Sequence, residues 1–355
     1  MRIVASFAPD TEFTRHSEGS FLRLKDGRIM FAYSRFTGHN GDDAPSDLVA
    51  VYSSDEGETW SEARVLIRAS MYNTKNVMSV SLMSMSNGDL GLFYIIKQTP
   101  AINRIMLSRS RDDGESFYSH VECTKAENAA YFVLNNDRVI RLKSGRILIP
   151  LAHHHSTLSA DGMKGYLGMR AANYFLYSDD DGLTWNESPD MVYPTFTNTD
   201  TGLQEPGVIE KLNGAIWAYA RTDKMYQYEY FSVDGGIHWT LPQPSRFTSP
   251  DSPMLIKRRP GTDELIAVWN PVPRYNGRPE YAAGWGRTPL VYAVSADDGL
   301  TWSDCKVIES KEEHGYCYPA IFFTDDGCML VSYCSGGPED GICLARTSIM
   351  KIKLG

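Results

Sequence analysis

No run of eighteen consecutive apolar residues occurs in the chain, so no segment reads as a membrane-spanning helix. The opening "MRIVASFAPDTEFTRH" lacks the apolar core and cleavage signature of a secretion signal. A cytoplasmic protein is the expectation for the sequence as written, and a periplasmic or secreted one if a signal was trimmed. Cysteine is sparse, with six residues and no C-x-x-C pair, which removes the common zinc and redox motifs. Five of the six, Cys305, Cys317, Cys328, Cys334 and Cys343, lie near the C-terminus and read as free thiols in strands. A basic excess is also missing: 35 Lys and Arg against 44 Asp and Glu give a net charge of −9, which argues against a nucleic-acid partner. A few arginines converging locally can still bind an anion. Helix-period stretches are nearly absent, and the apolar runs are rich in β-branched and aromatic residues.

What the chain does have is repetition. "YSSDEGETW" (52–60), "SRDDGESF" (110–117), "YSDDDGLTW" (177–185), "FSVDGGIHW" (231–239) and "VSADDGLTW" (294–302) are versions of one box. Its aspartates, Asp55, Asp112, Asp180, Asp234 and Asp297, recur at separations of 57, 68, 54 and 63 residues. Between the boxes a second pattern repeats six times, a glycine turn leading into a short apolar strand. Examples are "LKDGRIMFAY" (24–33), "KLNGAIWAYA" (211–220) and "TDDGCMLVSY" (324–333). Six hairpins and five boxes at a common period predict an all-β fold, a single six-bladed β-propeller of four-stranded antiparallel blades over residues 1–355. The last strands are expected to lie beside "MRIVASF" and close the ring. Within each box the glycine permits a left-handed turn and the aspartate accepts backbone N–H bonds. The hydroxyl residue adds another bond, and the tryptophan is expected to pack over the hairpin. The box aspartates are therefore read as structural.

Five such boxes at this spacing resemble the Asp-box repeats of the sialidase (neuraminidase) superfamily, and the resemblance covers essentially the whole chain. It implies a glycoside hydrolase in which three arginines clamp a substrate carboxylate, a Tyr–Glu pair supplies the nucleophile and an Asp is the acid/base. The chemistry suits a 2-keto acid sugar, because arginine forks bind carboxylates bidentately. An anionic nucleophile beside the sugar's carboxylate would be repelled, and sialidases are known to use a neutral tyrosine instead.

The resemblance is carried by particular segments. In "LQEPGVIEKLNGAIWAYARTD" (203–223), Glu205 corresponds to the tyrosine's base and Arg221 to one clamp arginine, and the hairpin brings the two ends together. In "HGYCYPAIFF" (314–323), Tyr318 has the better register for the nucleophile, although Tyr316 shares its strand face by period two. In "GDDAPSDLV" (41–49), Asp43 is the first choice for the acid/base, with Asp42 and Asp47 as alternates. Arg15 holds the position of the first clamp arginine, but Thr14-Arg15-His16-Ser17 departs from the aromatic-Arg-Ile-Pro of many sialidases, and Glu18 adds a carboxylate beside it. Arg287 is the third, with Arg274 and Arg278 able to substitute.

A positional argument stands apart from the family. Residues entering the inner hairpin of successive blades face one end of the central channel, and here they are polar: Arg15, His16 and Glu18; Lys75 and Asn76; Asn136, Asp137 and Arg138; Glu205; Asp251; Tyr316 and Tyr318. Unpaired buried charge is costly, so a polar central pocket is expected, with Glu18, Asp137 and Arg138 as substrate contacts. His153 and His155 should face one side of their strand and His154 the other. The expected partner is an acidic glycan or glycoside, cleaved without metal or cofactor. The alternatives are a non-catalytic propeller that binds carbohydrate or protein, or a hydrolase or lyase of a different acidic glycan using Glu18 or the histidines.

Overall fold

The structure is a computed structural model, which describes residues 1–125, 127, 130–158, 165–277, 284 and 286–354. Six antiparallel sheets, the blades, are arranged in chain order around an axis. The innermost strands are Phe13–Arg23 in blade 1, Val77–Ser84 in blade 2, Gln204–Glu210 in blade 4, Leu255–Arg258 in blade 5 and Cys317–Phe323 in blade 6. Blade 3 departs from this pattern, because its inner strand is broken into Tyr131–Val133 and Ile140–Arg141. The ring closes as expected: Arg2–Phe7 pairs antiparallel with Thr347–Lys353 as the outer strand of blade 6. Among the described residues no helix is long and apolar enough to cross a membrane.

Strands in the middle of each blade are covered on both faces, which explains why they read as unbroken apolar runs rather than as alternation. In "IMFAY" (29–33), Met30 and Ala32 pack against blade 2, whereas Ile29, Phe31 and Tyr33 pack against blade 6. The same division holds around the ring, so the core is six apolar wedges, one at each blade interface.

The boxes connect the third and fourth strands of blades 1 to 5. In blade 3 the Ser178 hydroxyl donates to Asp180 Oδ1 (2.8 Å), and the Gly182 N–H donates to Ser178 Oγ (2.7 Å). The Thr184 N–H and hydroxyl both donate to the Asp180 carboxylate, at 2.9 and 2.6 Å. The turn needs two successive left-handed residues, such as Asp181 (φ 61°) and Gly182 (φ 82°). That first left-handed residue is a staple between blades. Asp181 accepts the Ser86 N–H of blade 2 at 3.1 Å and Arg141 of its own blade at 2.6 Å. Glu56 and Asp298 likewise accept Asp325 N–H and Leu212 N–H from the preceding blades, both at 2.9 Å.

Trp60 packs over its own blade as expected, on Phe21 and Phe31, whereas Trp185, Trp239 and Trp302 also work across the interface. Trp239 of blade 4 stacks on Phe175 of blade 3, with centroids 4.1 Å apart, and Trp302 of blade 5 meets Phe247 of blade 4 edge-on at 5.3 Å. A wedge-shaped gap between twisted sheets is widest at its rim, and a large ring fills it.

The box hydrogen bonds carry a pH signature. The Thr184 hydroxyl and N–H hold the Asp180 carboxyl down to about 2 from an ordinary 3.8, and Ser116 and Thr301 do the same for Asp112 and Asp297. A carboxyl depressed in the folded state contributes stability above its unfolded value and loses it as pH falls through the folded value. The midpoint of thermal unfolding is therefore expected to drop between pH 4 and pH 2. Asp180→Asn should make that drop shallower, as a calorimetric pH series would show.

Candidate functional site

By the up-and-down path of the strands, the boxes and inner hairpin turns share one end of the ring. Inner strands begin at the other end, where the candidate residues collect. Four inner strands carry a register shift near their start, at Ser17/Ser20, Met78/Ser81, Gln204/Gly207 and Cys317/Ala320. Each shift contains a non-glycine residue in the left-handed region: Glu18 (φ 62°), Ser79 (φ 62°), Glu205 (φ 49°) and Tyr318 (φ 55°). Asp137 (φ 58°) is the equivalent in the broken strand of blade 3. Such bulges re-aim a side chain. Here the packing of the next residues holds them. A Cβ at Gly19 would lie 2.2 Å from the Phe31 ring, so only glycine fits after Glu18.

The bulge also separates the two tyrosines that period two cannot tell apart. Tyr316 is buried in the wedge between blades 5 and 6, near His314 and Tyr333. Tyr318 instead lines a cleft of about 470 Å³ together with Glu205, Arg221, Asp42, Lys97 and His154. A smaller pit of about 50 Å³ continues below, reaching Glu18, Ser79 and Asn135. A second concavity, about 560 Å³, lies at the box end, but Asp179 and Asp181 on its wall are paired with Arg146 and Arg141.

At the cleft floor the Tyr318 hydroxyl donates to Glu205 Oε1 at 2.8 Å. Glu205 Oε2 accepts Arg221 Nη1 at 2.8 Å, and the same nitrogen is 3.5 Å from the Tyr318 oxygen. Asp251 holds the far side of Arg221 through Nε and Nη2, the latter at 3.1 Å. Arg287 lies 5.8 Å from the Tyr318 ring centroid, and among the described residues no carboxylate pairs with it. Its Nη1 is 3.4 Å from Cys317 Sγ, and among the described residues its buried Nε has no partner. Burial, then the Glu205 charge, push the Tyr318 phenol well above its ordinary range, and the charges of Arg221 and Arg287 pull it partly back. The phenol is thus neutral, with a carboxylate positioned to take its proton.

Arg15 is placed differently from the other two arginines. Its guanidinium is spent on its neighbours: Nη2 on Glu18 (2.6 Å), Nη1 on Asp42 (2.6 Å) and Nε on Ser17 (2.8 Å). Phe36 stacks beneath it at 4.4 Å. Two of the three expected clamp arginines therefore approach Tyr318, and the third is closed off by carboxylates.

The acidic loop divides its roles. Asp42 is paired with Arg15; desolvation opposes its ionisation, but Arg15 and then Lys97 outweigh that and lower its carboxyl. Asp43 lies on the cleft rim, with its side chain 88% exposed and His39 Nδ1 4.0 Å away. Asp47 points elsewhere and caps the Ala69 N–H at 2.8 Å. Asn76 holds the loop by donating to the Asp42 and Ala44 carbonyls at 3.1 and 2.6 Å.

Asp137 and Arg138 do not reach the cleft, contrary to their expected role as substrate contacts. Asp137 pairs with Lys257 at 2.7 Å and accepts the Ser20 hydroxyl at 2.9 Å, and Arg138 is buried against Tyr219. Both form a polar plug on the axis, because the break in the blade 3 strand lets 135–138 cross it. Lys75 and Arg274 are exposed, while Arg278 lies outside the described residues. His153 and His154 part as alternation predicts, with His154 lining the cleft and His153 packing on Phe132 at 5.4 Å, whereas a register shift between His154 and Ser156 interrupts the ladder at His155. Among the described residues no group of three or more His, Cys, Asp or Glu is set to hold a metal. All six cysteines are free.

Lys97, Tyr131 and Gln204 also line the cleft and were not singled out in the sequence. Lys97 was findable: it lies nine residues after the hairpin glycine Gly88, much as Arg221 lies seven after Gly214. A buried ion pair broken from one side is strongly destabilised. Asp251→Ala, which leaves Arg221 with Glu205 alone, is expected to cost about 3 kcal/mol in denaturant unfolding. A change near zero would show that Asp251 does not anchor Arg221.

No curated protein sequence matches the chain. Among solved structures, a protein of unknown function from Dyadobacter fermentans is 19% identical, with a TM-score of 0.71 and 99% of each chain covered. The NanB sialidase of Streptococcus pneumoniae is 14% identical, with a TM-score of 0.74 over 99% of this chain and 70% of that one. The intramolecular trans-sialidase of Ruminococcus gnavus is 13% identical, with a TM-score of 0.73 over 98% and 96%. At such identities the likeness speaks for the fold, a sialidase-like propeller. The sequence itself matches the BNR repeat-like domain over residues 49–331, and the chain belongs to that family.

Proposed function

We propose that the protein is a retaining exo-glycosidase of acidic sugars, with sialic acid or a related 2-keto acid as the substrate class. The observation that carries this reading is the 2.8 Å hydrogen bond from Tyr318 to Glu205, with Arg221 and Arg287 beside the same phenol. A hydroxyl bonded to a carboxylate is the arrangement of an activated nucleophile. Two cations alongside favour a ligand that brings its own carboxylate to the reacting carbon.

In the first step the Tyr318 oxygen bonds to the anomeric carbon as the bond to the leaving oxygen breaks. Glu205 accepts the phenolic proton, and Asp43 gives a proton to the leaving oxygen. A sugar seated in the cleft would cover Asp43 on the rim. Asp42 is a poorer donor because Arg15 keeps it ionised. In the second step Asp43 takes a proton from water, whose oxygen replaces Tyr318 on the anomeric carbon, and Glu205 returns its proton to the phenolate. Arg221 and Arg287 hold the substrate carboxylate throughout, and no metal or cofactor enters.

One observation favours a second reading, binding of an acidic glycan without turnover: Glu18 and Asp42 already occupy Arg15. Release of 4-methylumbelliferone from its sialic acid glycoside separates the two. The wild type is expected to turn over, and Tyr318→Phe to lose about a thousandfold or more in kcat. Turnover that survives Tyr318→Phe would remove the nucleophile, and saturable binding without turnover would support the second reading.

A further inference from the structure

Glu18 is a carboxylate where the proposed reading needs an anion to be welcome. It is 5% exposed, in a left-handed conformation, with Oε1 on Arg15 and Oε2 accepting the Ser79 hydroxyl at 2.6 Å. The charged and titratable groups facing it are Arg15 on its own strand, Asp42 from the loop, Lys97 from blade 2, Glu205 from blade 4 and Tyr318 from blade 6. Arg15 thus serves two carboxylates at once. Adding a substrate carboxylate would place a third anion on a single guanidinium in a desolvated pit, where like charges repel strongly. Asp42 has an exit, since 61% of its side chain is exposed. Glu18 has none, because the bulge and Ser79 fix it, so it can yield only by losing its charge.

We propose that Glu18 gates Arg15: a ligand carboxylate engages this arginine only as Glu18 takes a proton from solvent, which makes binding of an acidic sugar proton-coupled. The inference rests on the acidic-sugar reading above and adds a condition that the reading does not contain. Proton balance is simple: one proton passes from buffer to Glu18 Oε1 on binding and returns on release. Once protonated, the carboxyl changes from a competitor of the ligand to a donor toward it, since a carboxylic acid carries an O–H and a carboxylate only accepts. Burial, opposed by the Arg15 charge, raises the Glu18 carboxyl to about 7, so the uptake is accessible near neutrality.

The test is titration calorimetry with 2-deoxy-2,3-didehydro-N-acetylneuraminic acid, a stable anion without a scissile bond, in buffers of different ionisation enthalpy from pH 6 to 9. At pH 8 the wild type is expected to take up about one proton per ligand, with affinity falling about tenfold per pH unit above 7 by linkage. Glu18→Gln should take up none and hold its affinity flat. Wild-type binding with no proton uptake, or a Glu18→Gln protein with the wild-type slope, overturns the gate alone. Failure of both proteins to bind at any pH overturns the gate together with the acidic-sugar reading. The wild-type proton count needs no variant, so misfolding of Glu18→Gln leaves the test intact.

Discussion

The left-handed residue near the start of the inner strands is the constraint on which the site depends. A regular strand sends alternate side chains into the two neighbouring wedges, where only apolar groups are tolerated. Glu18, Ser79, Glu205 and Tyr318 escape that alternation because a bulge turns each toward the open end of the ring. A non-glycine residue in that conformation costs roughly 1–3 kcal/mol. The strain persists because the six wedges determine the surrounding backbone, and because close contacts such as Gly19 against Phe31 leave no room to relax. Glu18, Glu205 and Tyr318 are thus carried by inner strands and Arg221 and Lys97 by second strands, while Asp42, Asp43, Asp251 and Arg287 come from loops.

Charge is organised around the same positions. Each arginine at the open end meets a different company of anions: Arg15 has two carboxylates, Arg221 has two, and among the described residues Arg287 has none. Glu205 is shared between Arg221 and Tyr318, so the carboxylate that supports the arginine also prepares the phenol.

Much of the fold was legible in the sequence because its signals are local. A box makes its turn from eight adjacent residues, and a glycine hairpin needs only its own two strands. The Glu205–Arg221 pair was legible for the same reason, as two ends of one hairpin. What was not legible depends on where strands break or bulge. Tyr316 and Tyr318 share a face in a regular strand and part company only because of the left-handed residue between the wedge and the cleft. Asp137 and Arg138 occupy the expected position in blade 3, but the interrupted strand there sends them across the axis. Lys97 comes from the far end of a second strand, beyond the hairpin signal that drew attention to its start. The cross-blade role of Trp185, Trp239 and Trp302 was likewise hidden, since packing on the preceding blade is a contact between residues tens of positions apart.

The most direct test of the account is to trap the covalent intermediate. The protein would be incubated with a 2,3-difluorinated sialic acid, in which fluorine slows turnover of the glycosyl-enzyme, and then digested and mapped by mass spectrometry. The account predicts an adduct on the peptide containing Cys317–Phe323, at the Tyr318 oxygen, that Tyr318→Phe does not form. An adduct on Glu205 or Glu18, or none on a protein that binds the reagent, would contradict it.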